Sequence, residues 1–279
     1  MGSRMVRKLS IDGFQLNIYN RSPIQEHTYN KNVNFIDNLD KLYSESNILI
    51  SMVTDDYAIN DILFDKDQNF KIKKHSILIN TSTISPSLAY SLFKLFEKND
   101  SQYVDAPVLG SLPAAENGNL KFLLKLYNTP FEKIQNIVDC LGSGYSIVTK
   151  SKTAQEIKLF HNTMCAILLN TISKILISAE KFDSDPNEVY NALGFGALNC
   201  DLVQAKSKMF EKLSFKPLFP LKLMYKDLKT LYDDMQTSKI NNDIILNIIN
   251  DYDNAMPKMG ELDCSSIYLH LLENYNEWK

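Results

Sequence analysis

Lys158 and Asn162 stand four residues apart in a stretch of helical periodicity, which sets them one above the other on a single helix face. A lysine so placed can take a hydroxyl proton if burial lowers its pKa towards neutrality. The carboxamide of Asn162 could hold the oxygen that gives up that proton. Together they suit the oxidation of an alcohol or the reduction of a carbonyl. By spacing alone they also fit the polar face of an amphipathic helix. Lys226 and Asp227 lie in a later helical pattern, where the bland alternative is a surface ion pair worth little. Asp105 to Ser111 leaves a strand and turns at Gly110, where the backbone can approach a ligand closely. Asn20, Arg21 and Ser22 follow another strand, and Arg21 offers a planar fork for a phosphate, or is a loop arginine with no such part.

These residues need elements to hold them. The spacing predicts a helix over residues 2–11, ended by Gly13, then a strand over 14–19. Residues 48–53 form a near-continuous apolar run, expected to be a strand covered on both faces. Helices are expected over 57–63, 86–97 and 130–141. Further strands are expected over 76–80, 103–106, 120–124 and 145–149. Such alternation argues for a mostly parallel sheet wrapped by helices. After about residue 150 the pattern changes. One long helix is expected over 154–182, with Ile157, Phe160, Met164, Ile167, Leu168, Ile172, Ile175, Leu176 and Ala179 at helical spacing. Helices follow at 186–193, 200–212, 221–236, 242–256 and 266–274, with no strand among them. The expected division is therefore an α/β domain over 1–150 and an all-α domain over 151–279, joined by the long helix.

Composition bounds the function. Of 279 residues 44% are hydrophobic and 23% charged, which excludes disordered and collagen-like chains. The net charge of −3 creates no field for nucleic acid or anionic membrane. Cys140, Cys165, Cys200 and Cys264 match no zinc spacing and read as reduced thiols, so no metal is expected. The most apolar stretch, 164–177, is interrupted by Asn170 and Lys174, and no run is expected to reach membrane-spanning length. With no secretory signal pattern at the N-terminus, the expected location is the cytoplasm.

Five motifs in register make the chemistry specific. They are Asn20-Arg21-Ser22; Ser82-Thr83-Ile84-Ser85-Pro86; Asp105-Ala106-Pro107-Val108-Leu109-Gly110-Ser111 with Ala114-Ala115-Glu116-Asn117-Gly118; Lys158-Leu159-Phe160-His161-Asn162; and Lys226-Asp227-Leu228. In this order the chain resembles the β-hydroxyacid dehydrogenases, the family of 3-hydroxyisobutyrate dehydrogenase and glyoxylate/succinic semialdehyde reductase. The resemblance covers essentially the whole chain. It implies a Rossmann-like NAD(P)-binding domain, a helical domain that supplies dimer contacts, and hydride transfer to or from a small hydroxyacid or semialdehyde. It implies that Lys158 is the general acid/base with Asn162 beside it. It assigns Gly2, Asn20, Arg21, Ser22, Met52, Val53, Thr83 and Lys226 to the cofactor. Leu109, Gly110, Ser111, Phe219 and Asp227 fall to the substrate, and a homodimer or homotetramer is expected. For Met52 and Phe219 plain core packing remains the alternative reading, and for Thr83 helix capping does.

The strand before Asn20 ends without the acidic residue that binds the ribose diol of NAD, while Arg21 and Ser22 could meet a 2′-phosphate. NADP is therefore expected over NAD. Two departures from the family stand out. Leu109 occupies a position where the family usually has serine, which points to a more apolar pocket and a larger or branched substrate, unless Leu109 packs in the core. The chain also begins inside the family's G-x-G-x-x-G turn, with only its last glycine, Gly2, and without the first strand. The expectation is a start assigned at an internal methionine; the alternative is weakened cofactor binding. A cofactor-impaired dimeric scaffold of the same fold is thus the second reading. Lys158, His161 and Asn162 also fit the K-x-x-H-N of 6-phosphogluconate dehydrogenase, but Cys165 stands where that enzyme has its acidic residue.

Overall fold

Polar caps start the helices that alternate with strands in the first part of the chain. Asn38, Asp55 and Ser85 each accept a backbone N–H from the first turn that follows. The computed structural model describes residues 1–22 and 29–277. Contacts divide the chain into two units, Met1–Lys158 and Leu159–Lys279.

The first unit runs α1 (Gly2–Ile11), β1 (Leu16–Ile18), β2 (Val33–Phe35), α2 (Leu39–Glu45), β3 (Ile48–Ser51), α3 (Asp56–Leu63), β4 (Ile77–Asn80), α4 (Pro86–Lys98), β5 (Gln102–Asp105), β6 (Val108–Leu109), α5 (Leu112–Glu116), β7 (Leu120–Leu124), α6 (Gln135–Leu141) and β8 (Gly142–Ile147). It ends in the first turns of α7 (Ala154–Lys181). The strands form three ladders rather than one continuous sheet: β1–β2, β3–β4–β5 and β6–β7–β8. All pairings are parallel except β6 with β7. An isolated bridge between Asp105 and Lys125 ties the end of β5 to the end of β7. One core gathers Met5, Leu9, Ile77, Ile79, Val104 and Leu120; a second gathers Ile59, Leu78, Leu92, Phe96 and Tyr103.

Several expectations need correction. β3 is not covered on both faces: Leu49 and Ser51 are buried, but Ile48 is 39% exposed and Ile50 only half-buried. The strand buried throughout is β4, which has a partner on each side. The helix expected over 130–141 is a 3₁₀ turn at Phe131–Lys133 followed by α6, because Ile134 adopts φ −118° between them. The last strand begins three residues earlier than expected, at Gly142. A Cβ there would lie 2.8 Å from the Leu120 carbonyl oxygen and 2.9 Å from the Phe122 ring, so this glycine permits the close pairing with β7.

The second unit is helical: the rest of α7, then α8 (Pro186–Phe195), α9 (Asp201–Lys212), α10 (Leu221–Thr237), α11 (Asp243–Met259) and α12 (Ile267–Glu277). Among the described residues no strand follows Ile147. The core joins Leu159, Ala166, Leu169, Ile172 and Leu176 of α7 to Phe210, Leu221, Leu228, Tyr252 and Ile267. The apolar face read from the sequence was partly the wrong one. Phe160, Met164 and Ile175 are 52%, 63% and 48% exposed, whereas Leu159, Ala166 and Leu169 are fully buried. α7 is apolar on two sides, so periodicity alone does not choose the inner one. The helix also contains an apolar window long enough to cross a membrane, contrary to expectation. Half of that window is buried within the fold.

Candidate active site

In the first unit the carboxyl ends of β3, β4 and β5 are joined by buried polar side chains. The Ser51 hydroxyl donates to Asn80 Oδ1 (2.9 Å), and Asn80 Nδ2 donates to the Tyr103 hydroxyl (3.0 Å). The Thr81 hydroxyl donates to the Ser51 carbonyl (2.6 Å), while the Val53 N–H donates to Ser82 Oγ (2.9 Å). Such ends are where open α/β sheets receive ligands. These bonds order two loops that carry expected cofactor residues: Met52 and Val53 after β3, and Thr83 after β4. Thr83 is half-buried between the buried Ser82 and Ile84. It does not cap α4; Ser85 does so, and Asp56 accepts both the N–H and the hydroxyl of Ser85.

The start of α1 lies against the same end. A Cβ on Gly2 would lie 3.6 Å from Met52 Cβ, so Gly2 and Met52 are neighbours. Met52 also packs at the margin of the core, as its alternative reading held. Asn20, Arg21 and Ser22 form an exposed turn beyond β1, in which Asn20 Nδ2 donates to the Ser22 carbonyl (2.8 Å). Both expected sets, the α1 start with Met52 and the Arg21 turn, follow the places a dinucleotide uses: a helix N-terminus for its pyrophosphate and a strand end for its ribose. The residues present therefore fit such a group.

Asp105 is fully buried at the end of β5. Its Oδ2 accepts the backbone N–H groups of Ala154 (2.7 Å) and Gln155 (3.2 Å), the first two residues of α7. Its Oδ1 accepts from Gln155 Nε2 (2.6 Å). Burial pushes the Asp105 carboxyl up to about 6; the Gln155 and backbone hydrogen bonds pull against that rise, and the Glu156 charge adds to it. Past β5, Leu109 pairs with Lys121, is half-buried and belongs to none of the core clusters. This disfavours the core-packing alternative. Gly110 has φ +126°, and a Cβ on it would meet Ala114 Cβ at 2.9 Å. Ser111 precedes α5, and its hydroxyl makes no capping bond.

Lys158 and Asn162 are both buried on α7, 8% and 6% exposed, one turn apart. In the second unit Asn162 Nδ2 donates to Asp227 Oδ2 (2.6 Å). Lys226 Nζ lies 2.9 Å from Asp227 Oδ1, in ion-pair range but outside hydrogen-bond alignment. The structure thus brings Asn162 to the adjacent pair Lys226 and Asp227, 65 positions separating Asn162 from Asp227 in the chain. His161 is exposed, with Nδ1 3.3 Å from Asn162 Oδ1. Phe219 is half-buried against the helical core, which favours its packing alternative.

Two groups escaped the sequence reading. Gln155 looked like any polar residue in a first turn. Asp263, fully buried, accepts from Lys206 Nζ (2.6 Å) and from the N–H groups of Leu218 and Phe219, and so fixes the segment leading into α10. Burial raises the Asp263 carboxyl, but the Lys206 charge and the bonds from Lys206 and Ser265 overcome this and hold it below the ordinary range. No sequence signal links positions 206 and 263.

Residues 1–156 match the family model for the NAD-binding domain of 6-phosphogluconate dehydrogenase. Residues 153–268 match the model described as NAD-binding of NADP-dependent 3-hydroxyisobutyrate dehydrogenase. The chain is 24% identical to 2-hydroxy-3-oxopropionate reductase of Escherichia coli (strain K12), over 86% of this chain and 83% of that protein. It is 28% identical to mitochondrial 3-hydroxyisobutyrate dehydrogenase of Drosophila melanogaster, over 67% of this chain and 58% of the relative. Its fold matches the crystal structure of 3-hydroxyisobutyrate dehydrogenase from Salmonella typhimurium with a TM-score of 0.82 at 15% identity, covering 96% of this chain and 95% of that one. With a nicotinamide-cofactor domain model spanning more than half its length and a helical-domain model following in register, the chain belongs to the β-hydroxyacid dehydrogenase family.

Proposed function

We propose that this chain transfers a hydride between NADP(H) and a small β-hydroxyacid or the corresponding semialdehyde or oxoacid, with Lys158 as general acid/base. The observation that carries this is the buried Lys158, one turn of α7 before an asparagine anchored to a buried carboxylate. A bound nicotinamide supplies the hydride donor or acceptor. In oxidation Lys158 takes the hydroxyl proton as the carbon loses its hydride; in reduction it returns that proton to the carbonyl oxygen. Asn162 holds the oxygen, and Asp227 fixes the direction of the Asn162 amide. Gly110 and Ser111 face the substrate carboxylate, and Leu109 adds apolar surface that favours a branched acid over glyoxylate.

Gly2, Asn20, Arg21, Ser22, Met52, Val53, Thr83 and Lys226 are the residues that would hold the cofactor. Arg21 and Ser22, exposed beyond β1, suit a 2′-phosphate and support NADP over NAD. The exposed Phe160, Met164 and Ile175 on α7 support a homodimer or larger assembly. Free cysteines at all four positions support a cytoplasmic location. Titrating the purified chain with NADPH and with NADH tests the cofactor assignment. Micromolar binding of NADPH, weaker for NADH and levelled by Arg21→Ala, is expected; absence of binding by folded chain contradicts it.

A further inference from the structure

We propose that Gln155, held by Asp105, is a positioning residue whose side-chain amide clamps the backbone on both sides of Thr83 to the first turn of the helix that carries Lys158. Gln155 Nε2 donates to the Ser82 carbonyl (3.0 Å) as well as to Asp105 Oδ1 (2.6 Å). Gln155 Oε1 accepts the N–H of Ile84 (3.2 Å). One amide therefore grips the residues before and after Thr83 and leaves Thr83 itself half-exposed between them. α7 has no need of this side chain for its own start. Asp105 Oδ2 already takes the N–H groups of residues 154 and 155, and Thr153 Oγ1 takes that of Glu156 (3.3 Å).

The clamp is anchored from two further sides. Backbone bonds with Lys125 fix Asp105 in place, and Lys125 Nζ donates to the carbonyls of Thr149 and Ser151, on the approach to α7. Ser82 Oγ accepts from Val53. Gln155 is wholly buried, so each of its bonds is costly to break without replacement. The fixed quantity is the placement of Thr83 relative to the helix turn that ends in Lys158. Its catalytic meaning rests on the roles proposed above for those two residues.

Gln155→Met keeps the shape of the side chain and removes its hydrogen bonds. Two measurements on the whole chain separate the clamp from the functional reading. Amide hydrogen exchange without cofactor needs no activity: Ile84 should exchange at least about tenfold faster in the variant, with residues 77–80 of β4 unchanged. In turnover, kcat should fall by about 10- to 100-fold while the Kd for NADPH stays within about twofold, the mark of misplacement rather than lost binding. If the wild type shows no turnover, the proposed function fails and the exchange result still decides the clamp. Unchanged Ile84 exchange in folded variant overturns the proposal, as do equal losses of kcat and cofactor affinity. If the variant does not fold, the wild type decides: Ile84 must exchange slowly, and exchange at the rate of an exposed loop amide overturns it.

Discussion

Replacing Lys158 by alanine removes the only side chain to which the account gives proton transfer. Activity should fall by about 10²- to 10⁴-fold while NADPH binding persists. Near-normal turnover would remove Lys158 from the mechanism. Asp105 titrates in the opposite sense to most buried paired carboxylates. Its folded pKa of about 6 lies above the unfolded value near 4, so the folded chain binds the extra proton between them. Its contribution to stability is complete below about pH 4 and is lost as pH rises through about 6, about 3 kcal/mol at 1.36 kcal/mol per unit. Carboxyl-resolved NMR should show an Asp105 midpoint near 6; a midpoint at or below 4 would contradict the burial argument. Asp263, whose pKa is lowered, has the reverse sign and loses its contribution as pH falls through its folded value. At this scale Lys158, Asn162 and Asp227 stood out through the resemblance of their motifs to the family; their spacing alone fitted a solvated helix face equally well. Gln155 stayed hidden, because a glutamine in a first turn gains meaning only from the loop packed against it.

Turns and helix starts carry the placement of these residues. Gly110→Ala would force a Cβ into 2.9 Å contact with Ala114 at a φ of +126°. A loss of about 2–4 kcal/mol is expected in denaturant unfolding, from strain and overpacking together. A change below half a kcal/mol would show that the turn rearranges at little cost. Lys206→Met leaves the Asp263 carboxylate buried without its cation and should cost about 3–5 kcal/mol. An unchanged unfolding midpoint would contradict a buried ion pair at that place. Of the elements, α1, β4 and α7 are legible because apolar periodicity or a short apolar run marks them. β2, α2, β6 and α5 were missed. β2 and β6 have three and two residues, too few for a period. α5 has five residues, with a proline in its first turn. α2 did leave a signal, the Asn38 cap ahead of Leu39, Leu42 and Tyr43.

At the scale of the whole chain, the change from alternating strand and helix to continuous helix was visible in the sequence. The arrangement of the strands into three ladders was not, because strand pairing depends on partners far apart in the chain. Nor could periodicity decide which side of α7 faces the helical core, since both sides are apolar. The exposed side predicts assembly: light scattering should give the mass of a dimer or tetramer, and Phe160→Glu with Met164→Glu should shift it towards monomer. A wild-type monomer would leave that surface to another role. Hydride exchange between NADP(H) and a small hydroxyacid or semialdehyde is read by following reduced nicotinamide while the purified chain meets a panel of such acids with NADP(H) and with NAD(H). Turnover that depends on Lys158 is expected, with higher kcat/KM for NADP(H) and for branched acids over glyoxylate. A folded chain that turns over none of them with either cofactor would rule out this hydride transfer.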